Sequence, residues 1–263
     1  MDAAFSTLLD RALIVARDAA DAAAVVIRKY YRRDVAVEIK ADQTPVTVAD
    51  RLAETVIKNV LKRKFPDHAF YGEELGREGD SEFLWLIDPI DGTKAFVRGY
   101  PMFSTQIALM HRGELVVGVS SAPEFCETMW ARKGGGAFYN GEKVRVAATA
   151  ELNASAAISI GNVKTLTSDP RWDVLGELIR RTGRIRGYGD FLHYHLLARG
   201  CIDLVIESDV NILDVAALAV IVREAGGVFS DLGGGELSLE TSSVLTGTAA
   251  LHAVALKMFG DVE

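Results

Sequence analysis

With 263 residues, of which 49% are hydrophobic, the chain can bury one large core or two modest ones, which excludes disorder and predicts one or two globular domains. A formal net charge of −7 argues against nucleic-acid or membrane-surface partners, because binding driven by counterion release needs a basic face. The two cysteines, Cys126 and Cys201, lack metal-ligand spacing; neither a disulfide framework nor a zinc site is expected, a reducing compartment fits, and both are assigned to the core.

From the N-terminus, residues from about 3 to 31 read as one alanine-rich amphipathic helix, and Asp2, Asp10, Arg11 and Asp18 leave no uninterrupted apolar region for a signal peptide. After the segment KADQTPVTVAD, a second helix runs from about Thr47 to the proline at 66, its Lys62-Arg63-Lys64 end offsetting the helix dipole. Leu84 to Ile87 predict a buried strand. Two strands turn around Arg112-Gly113, and a hairpin with the Asn140-Gly141 turn follows, making the middle of the chain antiparallel sheet. Gly134-Gly135-Gly136 lacks the lysine and hydroxyl of a nucleotide P-loop and reads as a hairpin connection.

Beyond about residue 150 strands and helices alternate: SAAISI, a helix near 171–182, RIRGY, a helix near 190–199, IDLVIE, a helix near 214–225, VFS and a helix near 249–259. The expected organisation is an N-terminal α+β part over residues 1–145 and a C-terminal α/β part over 146–263, packed as one unit with a site between them. The longest apolar run, Val215 to Val222, is too short to span a bilayer, so a cytoplasmic protein without a membrane partner is expected.

The stretch LWLIDPIDGTKAF, residues 84–96, carries an apolar run into two carboxylates, Asp88 and Asp91, around a proline and ahead of a glycine. A plain Asp-Pro turn with Asp91 capping the next helix would account for it. Other acids also stand at the ends of predicted elements: Asp50, Glu73 and Glu74 in YGEEL, and Asp214 in DVAAL. If several converge, protonation or a cation must relieve their repulsion, and carboxylates without histidine or thiolate favour Mg²⁺ over zinc. Gly92, Thr93 and Lys94 at a helix start offer N–H groups to a phosphate, and the Ile90 carbonyl, in the irregular turn after Pro89, is free to ligate metal. Thr93 beside a carboxylate, with Asp50 as its candidate partner, could orient and deprotonate an attacking water; a plain helix start capped by Thr47 is the alternative for that segment.

GEE at 72–74, WLIDPIDGTKAF at 85–96, TPVTVADRLAE at 44–54 and LDVAALAVIVREAGG at 213–227 together resemble the inositol monophosphatase family over nearly the whole chain. The resemblance implies an α+β / α/β layered α-β-α-β-α sandwich and a Mg²⁺-dependent, lithium-sensitive phosphomonoesterase, usually a homodimer. It makes Glu73, Asp88 and the Ile90 carbonyl ligands of one metal and places Asp88, Asp91 and Asp214 around a second, with Glu73 near a weaker third; Mn²⁺ would substitute. Thr93 and Asp50 match the pair that activates the attacking water, and the Gly92 and Thr93 amides match the phosphate seat. Where the family often has tryptophan before the last aspartate, Leu213 stands here, which alters local shape and removes no ligand.

The segment RIRGYGDFLHYHLLARG places Asp190 after a glycine-flanked turn, and Glu207 lies seven residues ahead of Asp214. Members that act on inositol phosphate typically carry a small residue at the position of Asp190, whereas those resembling histidinol-phosphatases carry an acid in an R-x-x-G-D setting like Arg186 to Asp190. Histidinol phosphate has an ammonium and an imidazole, so an added carboxylate gives charge-assisted hydrogen bonding that a polyol exploits less. Helix capping is the competing role for Asp190. Glu207 matches a family contact to the leaving group. His193 and His195, two apart on a helix, point to different faces and read as packing or surface residues. The expected activity is hydrolysis of L-histidinol phosphate in histidine biosynthesis, the alternatives being inositol 1-phosphate or another polyol monophosphate. Bisphosphates rank lower, with Arg98, Arg184 and Arg186 as the available cations, and a binding role on the transcription and ribosomal RNA machinery is the rival outside enzymology.

Overall fold

Asp2 caps the helix Ala3–Tyr30 by accepting from the Ala4 N–H, and the buried face of that helix is built largely of alanine: Ala12, Ala16, Ala19, Ala20 and Ala23. Small side chains on that face let a neighbouring helix approach closely, and Val48–Lys64 packs there through Ala49, Ala53, Ile57 and Leu61. The computed structural model describes residues 2–33, 37–39 and 45–260; Lys40 to Thr44, the start of the TPVT motif, lie outside them.

The chain divides into two compact units, residues 1–142 with Leu213–Ile221, and residues 143–212 with 222–263. In the first, the two helices cover an eight-stranded sheet whose centre is antiparallel: Glu127–Arg132, Glu114–Ala122, Ser104–His111 and Phe83–Asp91 are successive neighbours. Ala69–Gly72 adds to this sheet parallel to Phe83–Asp91. Gly118 faces the backbone of Ala217, so the stretch Leu213–Ile221 lies against the sheet with no room for a side chain at 118. The helix containing that stretch, Ile212–Glu224, has Val215 to Val222 all buried, as expected for a helix apolar on every side.

The second unit holds a five-stranded sheet in the order Arg184–Arg186, Ala157–Gly161, Leu204–Ser208, Ser243–Gly247, Val228–Ser230. The first three strands are parallel and the last two antiparallel to their neighbours. Helices Trp172–Arg181 and Ala249–Gly260 pack with it around Leu175, Leu178, Leu204, Ile206, Leu245 and Leu251. No helix among the described residues is long and apolar enough to cross a membrane.

Several elements differ from the sequence reading. The strand expected to stop at Ile87 continues to Asp91, with its register shifted between Asp88 and Asp91, because a bulge accommodates Pro89 without a ladder donor. Asp91 therefore closes a strand instead of opening a helix. A short strand that the sequence reading did not include, Gly76–Glu78, pairs antiparallel with Ala69–Gly72. The short pair Val37–Ile39 and Pro45–Thr47 precedes the second helix. Cys126 and Cys201, assigned to the core, are both exposed: each sits in a turn, Cys126 in left-handed backbone and Cys201 just after Gly200.

Candidate active site

Asp88 stands in the sheet, 2% exposed, and its Oδ1 accepts from the Ile90 N–H at 3.0 Å, which fixes the carboxylate across the bulge. Ligand oxygens of Asp88, Asp91 and Asp214 all lie within 4.8 Å of one another. Asp214 reaches the cluster from the first turn of its helix. Burial first, then the charges of Glu73, Asp91 and Asp214, push the Asp88 carboxyl well above the usual range. Glu73 is also within hydrogen-bonding reach of Asp88, from the tight turn between Gly72 and Gly76.

Asp91 is held from the neighbouring strand: Ser104 Oγ donates to its Oδ2 at 3.2 Å, and Gln106 Nε2 lies 2.8 Å from Ser104 Oγ. Gln106 Oε1 is buried without a hydrogen-bond partner among the described residues. These residues fit a hard divalent cation: all-oxygen donors, converging negative charge and a buried acceptor beside them. Thr93 Oγ1 lies 2.9 Å from the Ile90 carbonyl oxygen, which has two lone pairs and so keeps one for the ligand role expected of it even when the hydroxyl turns toward it.

Thr93 and Asp50, distant in sequence, meet: Thr93 Oγ1 lies 3.1 Å from Asp50 Oδ1. Asp50 Oδ2 accepts from the Thr47 hydroxyl at 2.6 Å and from the Thr47 N–H at 2.8 Å, while Thr47 caps the helix through Ala49 N–H at 3.1 Å. The cap and the Thr93 contact therefore coexist on one carboxylate. Burial raises the Asp50 carboxyl above its usual range, and the hydrogen bonds from Thr47 and Thr93 partly offset it. Gly92 has φ of 91°, and a Cβ there would lie 2.5 Å from the Met102 carbonyl oxygen, so glycine alone lets Thr93–Val97 turn directly off the strand. That turn leaves the leading N–H groups of the short helix without intrahelical partners.

In the second unit, Asp190 is the first residue of the helix Asp190–Ala198 and has φ of 45°. Gly189 precedes it without a side-chain cap, and aspartate is among the few residues that tolerate this left-handed backbone, so a place at the helix start is compatible with capping and with recognition alike. Glu207 is 3% exposed and accepts from the Tyr194 hydroxyl at 2.5 Å and from His193 Nε2 at 3.0 Å. His193 and His195, expected as packing or surface residues, are both fully buried.

The inositol monophosphatase family model matches residues 8–262. The chain belongs to the inositol monophosphatase family. Members of this family are metal-dependent phosphatases, and by class this inositol monophosphatase relative is a phosphoric monoester hydrolase. It is 39% identical to a histidinol-phosphatase of Streptomyces coelicolor, over 84% of this chain and 85% of that one. It is also 34% identical to an inositol-1-monophosphatase of Mesorhizobium japonicum, over 86% of each. The crystal structure of the extragenic suppressor protein suhB from Bartonella henselae superposes with a TM-score of 0.88 at 30% identity, over 95% of this chain and 99% of that one, so the mixed, layered α/β fold of the family is this chain's fold.

Sequence reasoning missed several residues that build the site. Glu54 is buried, accepts from the Glu74 and Leu75 N–H groups at 2.7 and 3.2 Å, and so pins the turn that carries Glu73. Its only sequence signal is its place one helical turn after Asp50, where two acids share a buried face. Ser104, Gln106 and His193 carry no local signal, because what defines them is a partner far away in the chain.

Proposed function

We propose that this protein is a Mg²⁺-dependent histidinol-phosphatase, hydrolysing L-histidinol phosphate to L-histidinol and phosphate in histidine biosynthesis. The convergence of Asp88, Asp91 and Asp214 carries the phosphatase part of this reading. Asp190, an acid in left-handed backbone at a helix start, carries the substrate part, together with the likeness to the Streptomyces relative.

In this proposal Glu73, Asp88, the Ile90 carbonyl, Asp91 and Asp214 hold two or three ions, with Mn²⁺ able to replace Mg²⁺. When bound, the ions offset the carboxylate charge and stabilise both the attacking and the departing oxygen of an in-line displacement. Amides of Gly92 and Thr93 seat the phosphate. Thr93 Oγ1 turns its single proton to Asp50 Oδ1 in place of the Ile90 carbonyl and so presents a lone pair to the attacking water, whose proton it can accept as its own passes to Asp50. The raised Asp50 carboxyl is a better proton acceptor than an exposed aspartate. Asp190 and Glu207 are the acceptors for the ammonium and imidazole of the leaving group. A cytoplasmic, lithium-sensitive homodimer without nucleic-acid or membrane partners completes the reading.

Turnover of L-histidinol phosphate and inositol 1-phosphate under identical conditions, repeated with Asp190→Ala, tests the substrate assignment. Loss of histidinol phosphate turnover with the polyol ester spared supports it, and unchanged histidinol phosphate turnover refutes it. Inositol 1-phosphate is the second reading, favoured by the likeness to the Mesorhizobium relative.

A further inference from the structure

Glu207 does not stand alone in its unit. Gly161 and Glu207 are paired in register on adjacent parallel strands, and Ser159 shares a sheet face with Gly161. A continuous line of hydrogen bonds covers that face. The Tyr188 N–H donates to Ser159 Oγ at 3.2 Å, Ser159 Oγ lies 3.3 Å from His193 Nδ1, and His193 Nε2 lies 3.0 Å from Glu207 Oε2. Ser159 and His193 are fully buried.

The direction of the line follows from its ends. Backbone N–H can only donate, so Ser159 Oγ accepts from Tyr188 and has its own proton to place; His193 Nδ1 is the acceptor within reach. An unprotonated ring nitrogen facing a carboxylate would repel it, so Nε2 carries the imidazole proton and donates it to Glu207. Tyr194 adds a second donor on the same oxygen. Both bonds fall on Oε2, and Oε1 takes neither. Oε1 instead lies over Gly161, where a Cβ would sit 1.9 Å from it, so the missing side chain makes its place.

We propose that His193 is a positioning residue for leaving-group recognition. It holds Glu207 by one oxygen so that the other is presented to a donor, and through Ser159 it ties Glu207 to the backbone of Tyr188, two residues before Asp190. The two acids of the leaving-group pocket then share one rigid frame, suited to a phosphomonoester whose alcohol carries an ammonium or ring N–H. This inference rests on the function proposed above. His193 itself touches no reacting atom.

The test is steady-state kinetics with Mg²⁺ on wild type, His193→Phe, His193→Gln and Ser159→Ala, using L-histidinol phosphate, inositol 1-phosphate and p-nitrophenyl phosphate, whose leaving group has no donor. Losing the orientation of one charge-assisted contact should raise KM for histidinol phosphate about ten-fold in His193→Phe. The kcat on that substrate, and kcat/KM on p-nitrophenyl phosphate, should stay within about two-fold. Glutamine, which can still donate to Glu207, should recover most of the KM. Ser159→Ala, the milder change, should shift KM in the same direction by about three-fold and carries the test alone if His193→Phe does not fold. Folded variants with unchanged KM overturn the inference, as does an equal loss on all three substrates, which would mark a purely structural role. If wild type hydrolyses inositol 1-phosphate and not histidinol phosphate, the substrate assignment falls, and the same KM comparison made on inositol 1-phosphate decides for or against His193.

Discussion

Replacing Glu54 with alanine should loosen the turn that carries Glu73 and weaken metal binding without touching any proposed ligand. The carboxylate accepts two backbone N–H groups, from Glu74 at 2.7 Å and from Leu75 at 3.2 Å, and its side chain is fully buried. Hydrogen bonds to a charged group each contribute about 1.5–3 kcal/mol, and two partly buried N–H groups would lose their acceptor together. Against this, burial raises the Glu54 carboxyl, so removing a desolvated charge returns part of the cost. The net destabilisation should be about 2–4 kcal/mol. Because Glu54 supports Glu73 from behind, Mn²⁺ affinity should fall by roughly 10–100-fold, as for other outer-shell partners of metal ligands. Glu54→Gln keeps one acceptor and sets an amide against the second N–H, so it should lose about half as much. Denaturant unfolding gives the first quantity and titration calorimetry with Mn²⁺ the second. A Glu54→Ala protein within about 0.5 kcal/mol of wild type and with unchanged Mn²⁺ affinity would refute the reasoning.

Thr93→Ala should lower kcat by about 10²–10³-fold with KM near wild type, since the hydroxyl is asked to act on the attacking water; Thr93→Ser should retain most activity. His68 should make stability depend on pH. Its ring stacks on Phe65 and Phe83 with centroids 4.7 and 4.6 Å away, its Nδ1 accepts from Trp85 Nε1 at 3.1 Å, and burial pushes its pKa down to about 4. The unfolded chain therefore binds more protons between that value and the ordinary one of 6.5, so this contribution is complete above pH 6.5 and is lost as pH falls toward 4. His68→Gln, which keeps an acceptor for Trp85 and does not titrate, should flatten the pH dependence of unfolding free energy across that interval; an unchanged slope would contradict the assignment.

The long helix was legible because its apolar period runs unbroken from Ala3 to Tyr30, and the carboxylates were legible because each sits where a regular pattern stops. The strand through Pro89 was not. A proline argues locally against a strand, and only pairing of Asp91 with Ser104 across the bulge keeps it in the sheet. Three-residue strands such as Gly76–Glu78 have too few side chains for a period and exist through their neighbours. The cysteines were misplaced because residue-type averages say nothing about the turns that hold Cys126 and Cys201 outward. Thr93 and Asp50 could be paired by chemistry, whereas Glu54 and His193 act on partners 20 and 14 residues away, in a turn and on a strand whose placement no short window reveals.

Phosphatase chemistry at this site depends most on dispersed carboxylates gathering divalent ions. Anomalous diffraction from crystals soaked in Mn²⁺, for wild type and Asp88→Asn, addresses it directly. The expected result is a peak bounded by Asp88, Asp91 and Asp214 in wild type, lost or strongly weakened in the variant while the fold is retained. A well-ordered wild-type crystal with no peak among those three side chains, or an undiminished peak in Asp88→Asn, would contradict it.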